Sequence, residues 1–150
     1  MQIREIMTGS PEVCTPQTEL YYVARKMLEC DVGAIPVVES TESMKPIGII
    51  TDRDIVVRAV ARRQEPQSLH AEDCMSSDVV CLSGDTELSD ALKTMEKKQI
   101  RRLLVVDESG RCCGIVAQAD IARCVSRQET GELVQDISEP SHYGAAGMYH

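Results

Sequence analysis

Gly48-Ile-Ile-Thr-Asp-Arg-Asp-Ile55 sets an apolar run directly ahead of a threonine, two aspartates and an arginine. Alone, it reads equally well as a strand handing over to a capped helix or as a turn whose polar groups hold a ligand. Gly114-Ile-Val-Ala-Gln-Ala-Asp-Ile121 carries the pattern a second time. A repeat constrains architecture more than any single motif does, so the comparison between copies comes first.

At an offset of 68 residues Met7 falls on Met75, Thr18-Glu19-Leu20 on Thr86-Glu87-Leu88, Met27 on Met95, and Val37-Val38-Glu39 on Val105-Val106-Asp107. Beyond that the offset is 66, with Gly48 on Gly114, Asp54 on Asp120 and Ile55 on Ile121. The two extra residues of the first copy fall in the polar stretch Glu39-Ser-Thr-Glu-Ser-Met-Lys-Pro46, where a loop absorbs them cheaply. The chain is a tandem duplication.

Each copy carries one helical stripe: Leu20, Val23, Ala24, Met27 and Leu28 in the first, and Leu88, Ala91, Leu92 and Met95 in the second. Thr18 and Thr86 are the expected N-caps, with Glu19 and Glu87 favourable at the positive helix end. Two short apolar runs follow in each copy, Ala34–Val38 with Ile47–Ile50 and Leu103–Val106 with Gly114–Val116, and read as a hairpin. Helical segments continue beyond Asp54 and Asp120, and short strands at Glu12–Thr15 and Val79–Leu82 precede the stripes. The unit is β-α-β-β-α, twice. The expected fold class is mixed α/β (α+β), with the copies packed sheet to sheet and helices outside. The repeats run 1–61 and 72–127, a linker covers 62–71, and 128–150 is a C-terminal extension that is flexible or docked on a partner.

Composition narrows the function classes. The 150 residues include no Trp or Phe, so the core must be Val, Ile, Leu, Met and Ala. A net charge of −8 opposes nucleic-acid binding. No apolar run is long enough to span a membrane, and the N-terminus lacks a signal peptide's apolar segment, so a cytoplasmic protein is expected. Seven cysteines occur without a C-x-x-C pair. That pattern speaks for reduced thiols rather than a disulfide framework or a structural zinc site, and leaves Cys112-Cys113 as a candidate redox pair.

The duplication, the Met-Thr start ahead of a Val-containing strand, Gly33-Ala-Ile-Pro-Val-Val38 and Gly48-Ile-Ile-Thr-Asp-Arg-Asp-Ile55 together resemble the tandem cystathionine-β-synthase (CBS) domain pair, or Bateman module. The resemblance covers roughly residues 3 to 127 and is strongest to small stand-alone bacterial CBS-pair proteins. It implies two clefts between the copies, frequent pairing into a homodimer, and AMP, ADP or ATP as ligand. S-adenosylmethionine and NAD are further candidates, and no cofactor is required.

Carried over residue by residue, the resemblance implies one cleft from Thr51, Arg53 and Asp54 with Ser76, Val80, Ile100, Arg101 and Arg102. The other joins Ala117 and Asp120 to Thr8, Val13, Val32, Gly33, Ala34 and Pro36. A carboxylate can accept from both hydroxyls of a ribose, a threonine at a helix start can meet a phosphate, and an arginine can fork onto one. Ala117 stands where the family has Thr or Ser, and Ala34 where the second copy offers Arg102, so the second cleft is expected to bind weakly or to prefer a less charged adenosine ligand; Leu104, where the first copy has Pro36, departs from the family's strand entry.

Plainer roles stay open at each position. Asp54 and Asp120 suit helix caps, Arg101 and Arg102 a solvated strand end, and Thr8 and Ser76 simple turns. Asp52 with Asp54 could hold magnesium, although such a metal more readily arrives on ATP. Met7, Met27, Met75 and Met95 read as core. The leading expectation is a non-catalytic regulatory nucleotide sensor, with an unidentified protein partner as its target. The alternative is a ligand-independent dimeric scaffold. An enzyme is disfavoured, because no nucleophile is paired with a base.

Overall fold

In the computed structural model, which describes residues 1–130 and side chains as far as Arg127, both stripes are helices. α1 (Leu20–Cys30) buries Leu20, Val23 and Met27, and α4 (Leu88–Lys98) buries Leu88, Ala91 and Met95. Spacings of three and four residues put each set on one helix face.

Their caps depart from expectation. Glu19 and Glu87 occupy the N-cap positions, not Thr18 and Thr86. The Thr18 hydroxyl instead accepts from the Thr15 N–H at 3.1 Å, a local bond that competes with capping. Both helices end on a left-handed residue, Asp31 (φ 53°) and Gln99 (φ 54°). The next amides turn back onto the helix, Val32 N to Met27 O at 3.1 Å and Ile100 N to Met95 O at 3.0 Å.

The remaining elements follow the duplicated pattern. β2 (Ala34–Val38) and β3 (Pro46–Thr51) form one antiparallel hairpin, and β5 (Arg102–Val106) with β6 (Cys112–Ala117) forms the other. β3 runs into α2 (Asp52–Ile55), which widens into a π-helix at Val56–Val60, whereas β6 runs into the regular α5 (Gln118–Thr130). Of the two strands expected ahead of the stripes, the second is β4 (Cys81–Ser83), parallel to β5. The first contracts to a single bridge between Cys14 and Val37. The fold is mixed α/β with two repeats.

The compact units do not coincide with those repeats. Among the described residues, one joins Met1–Ser10 to Val80–Thr130, and the other spans Pro11–Val79. Matching bonds hold each lead-in segment onto the opposite copy. In the first unit Ile3 N donates to Thr86 O at 2.9 Å and Leu88 N to Met1 O at 3.0 Å. In the second, Ala71 N donates to Thr18 O at 2.8 Å and Leu20 N to Leu69 O at 2.9 Å. β1 (Thr8–Gly9) pairs with β6, giving the order β1-β6-β5-β4. Ser76 bridges Ile49 of β3 in the corresponding place.

Two glycines make room for this exchange. A Cβ on Gly114 would collide with Met7 Sδ, and one on Gly48 would lie 2.9 Å from Met75 Sδ. The methionines thus pack into slots that any larger residue would fill. Each unit has its own aliphatic core, one around Ile3, Leu88, Met95, Leu103 and Ile121, the other around Leu20, Val23, Ile35, Ile50 and Ala71.

The stretch expected as a linker, 62–71, is therefore partly structural. Pro66–Ser68 forms a short 3-10 turn, Leu69 packs on the core, and Ala71 is fully buried in it. Apart from the backbone at the end of α5, the expected extension at 128–150 lies outside the described residues. No described helix is long and apolar enough to cross a membrane.

Candidate functional site

Two equivalent turns carry the candidate residues, one per unit. In the Pro11–Val79 unit, β3 ends at Thr51 opposite Ala34, and Asp52 N donates to Gly33 O at 2.9 Å. The turn is closed by a reciprocal pair: Asp54 N donates to Thr51 Oγ1 at 3.1 Å, and Thr51 N donates to Asp54 Oδ2 at 2.9 Å. This capping box satisfies two amides at the helix start, so the plainer role of Asp54 is realised.

It leaves Asp54 Oδ1 without a hydrogen bond among the described residues, on a half-buried side chain. Arg53 is exposed and has no ion-pair partner among them. Asp52 Oδ1 accepts from the Arg53 amide at 2.8 Å, which accounts for that carboxylate locally.

The wall beside this turn is Val32-Gly33-Ala34, delivered by the left-handed cap at Asp31 and half-buried throughout. Val13 is half-buried, and its carbonyl accepts from Lys26 Nζ at 2.7 Å. Ser76 exchanges backbone hydrogen bonds with Ile49, two residues before Thr51, at 2.9 and 3.0 Å. Pro36 is buried within β2, and its carbonyl takes the Cys14 amide at 3.0 Å.

The corresponding turn of the other unit is built on the same backbone with different chemistry. Arg102 pairs with Ala117, and Gln118 N donates to Arg101 O at 2.7 Å. Ala117 has no hydroxyl to offer. Asp120 Oδ1 accepts from Arg123 Nη2 at 2.8 Å, both side chains about a third exposed. Arg101 is exposed and Arg102 half-buried, neither with a carboxylate partner among the described residues. Ile100 and Val80 pack against the core, and Leu104 N donates to Val80 O at 3.0 Å. Thr8 is exposed and in register with Ile115.

The sequence expectation combined Thr51 and Asp54 with Ile100–Arg102, and Asp120 with Val32–Pro36. Those sets belong to different units. Inside each unit the backbone sets Thr51–Asp54 beside Val32–Ala34, and Ala117–Asp120 beside Ile100–Arg102. Strand pairing is the reason, since a hairpin places the start of its first strand against the end of its second. Sequence reasoning also passed over Arg58 on the π-helix. Its only signal was a lone cation within the apolar run Val56-Val57-Arg58-Ala59-Val60.

Cys112 and Cys113 follow one another along β6 and so point to opposite faces. Burial pushes the thiols of Cys14 and Cys112 up to about 11, and burial also raises Cys74, Cys81 and Cys113. A thiol held protonated is a poor nucleophile and a poor metal ligand. Among the described residues no three His, Cys, Asp or Glu side chains cluster as a metal site.

Comparison with known proteins gives a consistent result. The CBS domain family matches at residues 3–60 and 71–127. A Bacillus subtilis protein, YlbB, is 35% identical over 151 residues, which cover 99% of each chain. A Methanopyrus kandleri protein, MK0525, is 39% identical over 118 residues, 79% of this chain but 57% of its own length. Among solved structures, the CBS domain pair of MJ0100 in complex with 5-methylthioadenosine and S-adenosylmethionine superposes with a TM-score of 0.73 at 25% identity. It covers 85% of this chain and 98% of that one.

Proposed function

The chain belongs to the CBS domain family, and from that premise we propose that it is a regulatory module binding an adenosine-containing ligand at the Thr51–Asp54 turn. The observation that carries this reading is the half-buried Asp54 carboxylate. Its Oδ2 fixes the turn, while Oδ1 keeps an open acceptor position beside the apolar Val32–Ala34 wall. An open carboxylate oxygen suits a ribose diol, and an apolar strand edge with backbone groups suits a purine. Arg53 adds an exposed cation for phosphate. The adenosine compounds bound by MJ0100 agree in class.

The Ala117–Asp120 turn is the weaker sugar reader, because its carboxylate already meets Arg123 and its threonine equivalent is alanine. Arg101 and Arg102 give it charge for an anion instead. The site binds and does not catalyse: Thr51 and Asp54 are engaged with each other in a way that positions neither as an activated nucleophile.

A second reading has a specific observation in its favour. The capping box explains Thr51 and Asp54 without any ligand, as a ligand-independent scaffold would require. Thermal unfolding with AMP, ADP, ATP, S-adenosylmethionine and NAD separates the two. A ligand at about 100 times its Kd stabilises by about 2.7 kcal/mol. The sensor reading expects such a shift with at least one of these compounds, and its loss in Asp54→Ala. No shift with any of them would leave the scaffold.

A further inference from the structure

The Thr51–Asp54 turn and the segment by which the chain leaves its unit are joined by one side chain. Arg58 lies in the π-helix that continues α2 without a break. Its Nη1 donates to two successive carbonyls, Cys74 O at 3.0 Å and Met75 O at 2.9 Å. Both belong to the end of α3 (Ala71–Cys74) and the residue that follows. Unpaired carbonyls at a helix end attract a cation, and a charged donor makes the stronger kind of hydrogen bond.

The segment so gripped is fixed on two further sides. Met75 fills the slot over Gly48, and Ser76 exchanges both backbone hydrogen bonds with Ile49. Gly48 and Ile49 belong to β3, the strand that ends at Thr51. A few residues later, at Val79–Val80, the chain passes into the other unit. The Cys74 thiol also feels this crowding: burial raises it most, followed by Asp73, with Arg58 opposing and Asp54 adding to the rise.

We propose that Arg58 is a positioning residue that transmits occupancy of the Thr51–Asp54 turn to the Cys74–Ser76 crossing segment. The proposal rests on the nucleotide-binding reading of that turn. A ligand that draws on Asp54 moves the first turn of α2, and the π-helix moves with it. Two charge-assisted bonds then pull on the Cys74 and Met75 carbonyls, while Ser76 resists through β3. The position equivalent to Arg58 in the other repeat is Cys124, buried in the core, so that side chain brings no charged donor to the corresponding place.

Amide hydrogen exchange with AMP as probe tests this, read residue by residue in the full chain. In the parent, AMP is expected to slow exchange at Thr51 and Asp54 and also at Ser76 and Ile49. In Arg58→Gln, slowing at Thr51 and Asp54 should persist while that at Ser76 falls at least threefold. Arg58→Lys, which keeps a multiply donating cation on a shorter side chain, should lie between and guards against a misfolded glutamine variant. Equal AMP-dependent protection of Ser76 in parent and both variants would overturn the proposal while leaving nucleotide binding intact. Absence of protection at Thr51 and Asp54 in the parent would overturn the binding reading, and this proposal with it.

Discussion

Replacing Gly114 with alanine should damage one unit through a single methyl group. The residue has no left-handed φ, so alanine suits its backbone. By narrowing the unfolded ensemble it would, on its own, stabilise by about 0.4–1 kcal/mol. The added Cβ, however, would collide with Met7 Sδ and stand 3.0 Å from its Cγ and 3.3 Å from its Cβ. Carbon pairs rest at roughly 3.5–4.0 Å. The Met7 Sδ can rotate away only by leaving its slot, and its Cβ cannot move, since the Met7 amide donates to Ile3 O at 2.9 Å and the next residue is in register with Ile115. Overpacking of this kind costs about 1–3 kcal/mol, and with three atoms inside contact distance the upper half of that range applies, which leaves a net loss of about 1–2.5 kcal/mol.

Gly48→Ala should lie at the upper end of that range. There the clash includes the Ser76 carbonyl oxygen at 3.0 Å, already bonded to Ile49 N and unable to move without breaking the bridge. Gly9→Ala is the control, because a Cβ there meets nothing within 4 Å. With no clash to offset the unfolded-state gain, it should match the parent or exceed it by up to about 1 kcal/mol. Urea unfolding gives all three numbers. A Gly114→Ala midpoint equal to the parent's would refute the reasoning. So would a Gly114→Ala, Met7→Ala double variant losing the plain sum of the single losses, since contacting residues should couple.

Two other outcomes follow from the burial pattern. Ile3 is fully buried in the core of the unit built mainly from the second repeat. Ile3→Ala should therefore cost about 2–5 kcal/mol, and a loss of surface-substitution size in the same urea assay would contradict the exchange of lead-in segments. Cys14 and Cys112 titrate at about 11 in the folded chain against 9.0 ordinarily. An acid whose folded value is raised favours the fold while protonated, so stability is whole below pH 9 and falls as pH climbs toward 11. Each thiol accounts for about 2–3 kcal/mol of that fall, and the decline should be shallower in Cys14→Ala. An unchanged slope would show that the Cys14 thiol is not buried.

Much of the architecture was legible in the chain because it is written in local periodicity. The stripes of α1 and α4, the two hairpins and the duplication all follow from side-chain spacing, which binds each residue to neighbours three or four positions away or to the next strand. Asp54 was legible both as cap and as candidate ligand group, and it stands in a capping box with one oxygen left open. The cap of α1 was misassigned because Thr18 found a nearer amide at Thr15.

What spacing cannot encode is which copy receives a segment when two nearly identical receptors exist. Met1–Ser10 could be matched equally well to Gly48 or Gly114, and the residues around Ala71 to Glu19 or Glu87. Local chemistry is the same at both, so only the long-range closure of the chain chooses, and it places each lead-in segment on the opposite repeat. The same closure sets Thr51 beside Gly33 and Ala34 and lets Arg58 reach Cys74 and Met75. Those contacts span sixteen or more residues, and no periodic pattern reaches that far.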